Sequence, residues 1–177
     1  MRSLKYLFIH CTASRERSVP FFTASKLVAM HTAPPPTGRG WRQVGYSALI
    51  LDKGRIARFT TDNADGWVDP KEVTNGAGRY NSSSKHICYV GGCDDRGKPK
   101  NTLQPAQEAS LIREIENVLV EKPDVLILGH NQVSNKACPS FSVIKWLEKH
   151  LINGTIAGLT EGNICRDDVF KHAFRLD

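Results

Sequence analysis

The chain has 177 residues, 40% of them hydrophobic and 24% charged, with a formal net charge of +6 and a pI of about 9.2. That length suits one domain able to bury roughly two thirds of its unfolded surface, and the composition is that of a globular chain rather than a disordered or collagen-like one. No apolar run reaches the ~18 residues of a membrane span. No block of like basic residues marks a nucleic-acid arm, so the positive charge points to other anionic partners, such as cell-wall polymers or a membrane surface, or to a plain solvated basic surface.

The first segment, "MRSLKYLFIHCTAS", has a short apolar run broken by Lys5 and ended by His10. It lacks the apolar core and cleavage site of a signal peptide, which predicts a first strand over 4–10 and cytoplasmic synthesis, with release by another route. "FTASKLVAMHT" puts Ala24, Leu27, Val28 and His31 at helical spacing behind Thr23 as a cap. "APPPTGRG" is a loop. "VGYSALILDKGRIARFT" predicts a hairpin turning at Asp52, Lys53 and Gly54. Residues 62–86 are rich in Gly, Asn, Ser and Asp and read as irregular surface, and "HICYVGG" as a short buried strand. "QPAQEASLIREIENVLVEK" predicts a helix with Pro105 in its first turn and an apolar stripe of Leu111, Ile112, Ile115, Val118 and Leu119.

A strand over 125–129 and a helix over "FSVIKWLEKHL" complete a unit over residues 1–151. The extension 152–177 carries Val169, Phe170, Ala173 and Phe174 on one helical face and is expected to pack on that unit, being too short to bury a core of its own. This order of elements predicts a single α/β domain with a mixed central β-sheet flanked by helices. The five cysteines, Cys11, Cys88, Cys93, Cys138 and Cys165, are odd in number and predicted to be reduced. In one strand, Cys88 and Cys93 would point to opposite faces, which argues against a bridge between them.

The richest chemistry lies in "GHNQVSNKACPSF", residues 129–141. Pro139 and the polar Asn131, Gln132, Ser134 and Asn135 argue for a loop at the end of a buried strand. That loop carries His130, Lys136 and Cys138. Imidazole and thiolate are good zinc ligands, and His10 is the further strong candidate at a strand end. Three protein ligands with one open position is the catalytic arrangement of zinc. Taken singly, a strand-end histidine is more often a satisfied polar residue, and a cysteine beside an apolar segment is usually core. His31, His86, His150 and His172 have no comparable setting and read as surface or packing residues.

Five segments in order, "FIHCTAS", "GWRQVGYSALI", "YVGGCDDRGKPKN", "TLQPAQEASL" and "NKACPSF", resemble the zinc-dependent N-acetylmuramoyl-L-alanine amidases of the phage lysozyme type, which share their fold with the animal peptidoglycan recognition proteins. The resemblance covers about residues 4–150. It implies one zinc per chain held by His10, His130 and Cys138, with Tyr46 and Lys136 required for hydrolysis. It also implies peptidoglycan as substrate, cut between N-acetylmuramic acid and L-alanine by a monomeric enzyme of the endolysin kind that reaches the wall after holin-type release. Trp41 and Asn81 are candidates for lining the substrate groove, with ordinary packing the alternative for each. A phage RNA polymerase is a further partner that the resemblance suggests. A non-catalytic peptidoglycan-binding module is the competing function, against which stands Cys138, commonly missing from non-catalytic relatives.

Three departures from the family pattern stand out. Where relatives carry a histidine in S-H-A-x-G-Y-N, "TNGAGRYN" has Gly76. Ser47 follows Tyr46 where histidine is common. The loop "TAPPPTGRG" is longer than its counterpart, an expected extra rim beside the groove, and residues 152–177 match nothing in the family pattern.

Overall fold

Residues 1–167 are described by the computed structural model, so the helical face expected at Val169, Phe170, Ala173 and Phe174 lies outside the described residues. The first strand, β1 (Tyr6–Cys11), is buried along almost its whole length, as befits a central strand covered on both faces. A hairpin follows from β2 (Ala48–Ile50) to β3 (Ile56–Arg58), turning through Asp52–Gly54 as the sequence predicts. With β4 (Ser84–Tyr89) and β5 (Leu126–Gly129) these form a five-stranded sheet in the order β3-β2-β4-β1-β5. The β3 pairing is antiparallel and the other three are parallel, so the sheet is mixed.

Register fixes what each face carries. Phe8 pairs with His86 and Leu128, and His10 with Cys88, so Phe8, His10, His86, Cys88 and Leu128 share one face. Leu7, Ile9, Ile87, Tyr89 and Ile127 point to the other. That second face is covered by α2 (Pro105–Glu121) and α3 (Val143–Asn153), which bury Leu111, Ile115, Trp146 and Leu147 against it. The first face receives α1 (Ala24–Thr32), whose Leu27 packs with Val44, Leu49 and Cys88.

Helix ends follow the sequence signals. Thr23 caps α1 by accepting the Lys26 N–H at 3.1 Å, and Ser142 caps α3 by accepting that of Lys145. Pro105 opens α2, where its missing N–H costs nothing. Of the predicted α2 stripe, Leu111, Ile115, Val118 and Leu119 are buried, with Ile112 half-buried beside them. All five cysteines are free, as expected of reduced thiols.

Residues 62–86 are the first departure from the sequence reading as irregular surface: Trp67–Val68 form a short strand, and Val68, Glu72 and Thr74 are buried. Strand β4 begins at Ser84, so it also takes in Ser84 and Lys85, both buried. The Lys85 ammonium is held by Asp62 at 2.5 Å and by the buried Glu121 at the end of α2. The second departure is at residues 130–132, where the expected open loop starts with one 3-10 turn. After α3, Gly154 takes the left-handed conformation (φ 62°) that reverses the chain. Ile156, Leu159 and Ile164 then return to the core, while Asn163 donates to the carbonyls of Pro123 and Val125.

Candidate functional site

The parallel strands β1, β2, β4 and β5 all end at one edge of the sheet, and open α/β sheets bind ligands outside such carboxyl ends. His10 lies near the end of β1 and His130 directly follows β5. These strands are neighbours with Ile9 opposite Gly129, so the two imidazoles meet with centroids 4.8 Å apart. Cys138 reaches them through the 130–141 loop. The loop is closed by the Asn131 N–H donating to the Cys138 carbonyl at 2.6 Å, and anchored by the Tyr89 hydroxyl donating to that of Pro139 at 2.8 Å. Gln132 ties it further, accepting the Gly129 N–H and donating to the Cys165 carbonyl.

One ligand atom from each of His10, His130 and Cys138 lies within 4.8 Å of the others. The Cys138 Sγ is 3.6 Å from His10 Nδ1 and accepts the Cys11 N–H at 3.2 Å. Burial, then the Lys136 charge, lowers His130 to about 4. Burial, followed by the repulsion of His130, His86 and Lys136, holds His10 well below its ordinary range. Burial and the neighbouring Cys11 push the Cys138 thiol up. Two neutral imidazoles and a half-buried thiol that needs a cation to stay ionised make a donor set that fits zinc.

His86, read from sequence as a surface or packing residue, is fully buried behind this group. Its Nδ1 is 3.1 Å from His10 Nε2, and its ring stacks on Phe8 at 5.3 Å and 14°. Burial, then the His130 charge, lowers His86 to about 3, so it is neutral. Gly76 lies against it: a Cβ there would sit 2.3 Å from His86 Nδ1 and 2.8 Å from the Gly45 carbonyl. The departure at Gly76 therefore has a local reason, because the imidazole of His86 fills the space a side chain at 76 would need.

In front of His130 and Cys138 opens a cleft of about 430 Å³. Tyr46 is half-buried in it, its ring 4.9 Å from that of His10. Burial, followed by the nearby thiols of Cys88, Cys138 and Cys11, raises the Tyr46 phenol, which stays a neutral donor. Lys136 is exposed at the rim and makes no ion pair among the described residues. Trp41 lines the opposite wall, between the His31 ring at 4.9 Å and the Arg39 guanidinium at 5.1 Å. Arg39 lies on the long loop, which thus does form a rim. No carboxylate lines the cleft among the described residues, so its charge is positive.

The structure brings together His10, His130, Cys138, Tyr46, Lys136 and Trp41. Asn81 is not with them. Its side-chain carbonyl accepts the Ala77 N–H at 2.7 Å and so braces the 77–81 turn, and it does not line the cleft. His31 and His86 are the residues that sequence reasoning missed. His31 is buried, accepts the Gly45 N–H at 3.2 Å and walls the cleft beside Tyr46. Its signal was its place one turn after Leu27 on the inner stripe of α1. For His86 the signal was its alternation with Cys88 on the face of β4 that meets His10.

Comparison with known proteins agrees with this geometry. A family model described as N-acetylmuramoyl-L-alanine amidase matches residues 1–141. The endolysin of Escherichia phage T7 is 29% identical over 144 residues, covering 81% of this chain and 85% of that one. Among solved structures, the N-acetylmuramoyl-L-alanine amidase LysC from Clostridium intestinale superposes with a TM-score of 0.63 at 20% identity, covering 86% of this chain and 87% of that one. Bumblebee PGRP-SA does so with a TM-score of 0.64 at 20% identity, covering 85% and 84%. These two structures speak for the fold, and the family match spans the His10, Tyr46, His130, Lys136 and Cys138 positions: the chain belongs to the N-acetylmuramoyl-L-alanine amidase family.

Proposed function

We propose that this amidase is a zinc enzyme of the phage endolysin kind, with His10, His130 and Cys138 as the metal ligands and Tyr46 and Lys136 as the groups that act on the substrate carbonyl. The observation that carries the reading is the convergence of two neutral imidazoles and one thiol within 4.8 Å at the base of a positively charged cleft. Zinc, when bound, supplies the Lewis acidity that activates water and polarises an amide carbonyl.

The chain's own groups do the rest. The scissile bond joins the lactyl group of N-acetylmuramic acid to L-alanine, and hydrolysis develops negative charge on its carbonyl oxygen. Lys136, a cationic donor, and Tyr46, a phenol kept protonated by burial, offer preorganised hydrogen bonds to that charge, often the largest single contribution to such catalysis. Trp41 offers an apolar wall for the substrate, and a lining without carboxylates among the described residues suits an anionic wall polymer. Digestion of purified peptidoglycan tests the reaction. New amino termini on L-alanine without new reducing sugar ends are expected. New reducing ends would mean a glycosidase and overturn the reading.

A further inference from the structure

We infer that His86 is a positioning residue for His10: it accepts the His10 Nε2–H and so leaves the His10 Nδ1 lone pair facing Cys138. The inference rests on the proposed ligand role of His10. A neutral imidazole carries one proton, and the nitrogen that binds a metal must be the bare one. The nitrogen of His10 that faces Cys138 is Nδ1, at 3.6 Å from the sulfur. Its proton then belongs on Nε2, a buried position whose partner is His86 Nδ1 at 3.1 Å.

The surroundings of His86 fit an acceptor held in one place. Its ring is clamped on Phe8 by the stack on one side and by the backbone of Gly76 on another, where no Cβ could be accommodated. Accepting at Nδ1 puts the His86 proton on Nε2, which is buried and has no partner among the described residues. His86 therefore spends its one useful contact on His10. A residue placed for packing alone would be better served by an apolar ring, which would leave no polar atom stranded. The pair also spans strands: His86 and His10 share a face of neighbouring parallel strands, so the sheet itself sets their approach.

The test uses the full chain and zinc alone, with affinity read by competition against a chromophoric chelator. His86→Phe keeps a ring on Phe8 and removes the acceptor. Gly76→Ala leaves every ligand intact and drives a Cβ into the His86 imidazole. Both are expected to weaken zinc on the order of 10–100-fold, the usual effect of losing such a partner. His86→Asn returns an acceptor near the Nδ1 position and is expected to recover most of the loss. Long-range proton–nitrogen spectra of the unaltered, zinc-loaded protein should show His86 protonated on Nε2 and bare on Nδ1, a readout that needs no variant to fold. Undiminished affinity in a folded His86→Phe protein, or a proton on His86 Nδ1 in the loaded protein, overturns the inference. An unaltered protein that takes up no zinc overturns the ligand assignment itself, and this inference with it.

Discussion

Six side chains at the cleft divide into those that would hold a cation and those that would meet the substrate, and the two groups should fail differently. Cys138→Ala removes one of three ligands, the fewest that fix an open zinc site, and is expected to lose metal and hydrolysis together. Lys136→Ala and Tyr46→Phe should retain zinc and still pellet with insoluble peptidoglycan. Their turnover is expected to fall on the order of a hundredfold, because the lost contact strengthens only as charge grows on the carbonyl oxygen. Zinc content, pelleting and hydrolysis rate measured on all three proteins decide this. Near-normal turnover in Lys136→Ala would return that side chain to an ordinary solvated charge. The ligand candidates were legible because strand-end histidines and a loop cysteine are chemically conspicuous in a sequence. His86 was not, because its role arises from the pairing of strands whose contacting residues are 76 positions apart.

Among the elements, helices announced themselves and one strand did not. Pro105 and the stripe from Leu111 to Leu119 mark α2 with both a start and a buried face. Strand β4 opens instead with Ser84, Lys85 and His86, three polar side chains, all buried. A hydrophobic pattern cannot reveal such a start: Ser84 donates to the Tyr80 carbonyl four residues back, while Lys85 and His86 find Glu121 and Phe8 far along the chain. Lys85 shows what this costs. It joins the beginning of β4 to the end of α2 through Glu121, whose side chain is only 3% exposed. Lys85→Ala strands that carboxylate and is expected to destabilise the fold by about 3–5 kcal/mol. Lys85→Met combined with Glu121→Leu should recover much of the loss, since an apolar pair leaves no buried charge. Urea denaturation of the three proteins measures it, and a loss under about 1 kcal/mol for Lys85→Ala would place the pair among weak surface bridges.

For the whole molecule, the boundary after α3 is a boundary in the sequence pattern, while the packing runs on past it. The described part of the extension sends Ile156, Leu159 and Ile164 into the main core and supports the 130–132 turn through the Cys165 carbonyl. We propose that residues 152–177 stabilise the 1–151 domain and supply no metal ligand or reacting group of their own. Deleting them is expected to lower the melting temperature on the order of 10 °C or more, given three buried aliphatic side chains, with measurable hydrolysis retained. A truncated protein that folds but has no activity would show that the extension builds the site.

The adjacency of β1 and β5 also has a consequence for the order of events in synthesis and folding. His10 and Cys138 are 128 positions apart, and nothing but the docking of the last strand beside the first brings them into reach. A nascent chain that has not yet emitted residues 126–141 carries one of the three proposed ligands, and no shorter piece of the fold can assemble the rest. Closing so long a loop is an entropic cost met only when the rest of the sheet is there to receive the strand. Zinc capture during refolding should therefore lag the appearance of helical signal and coincide with the final tertiary step. The centre would then remain inert through most of synthesis and become competent only once the 126–141 segment has been made and has docked beside the first strand.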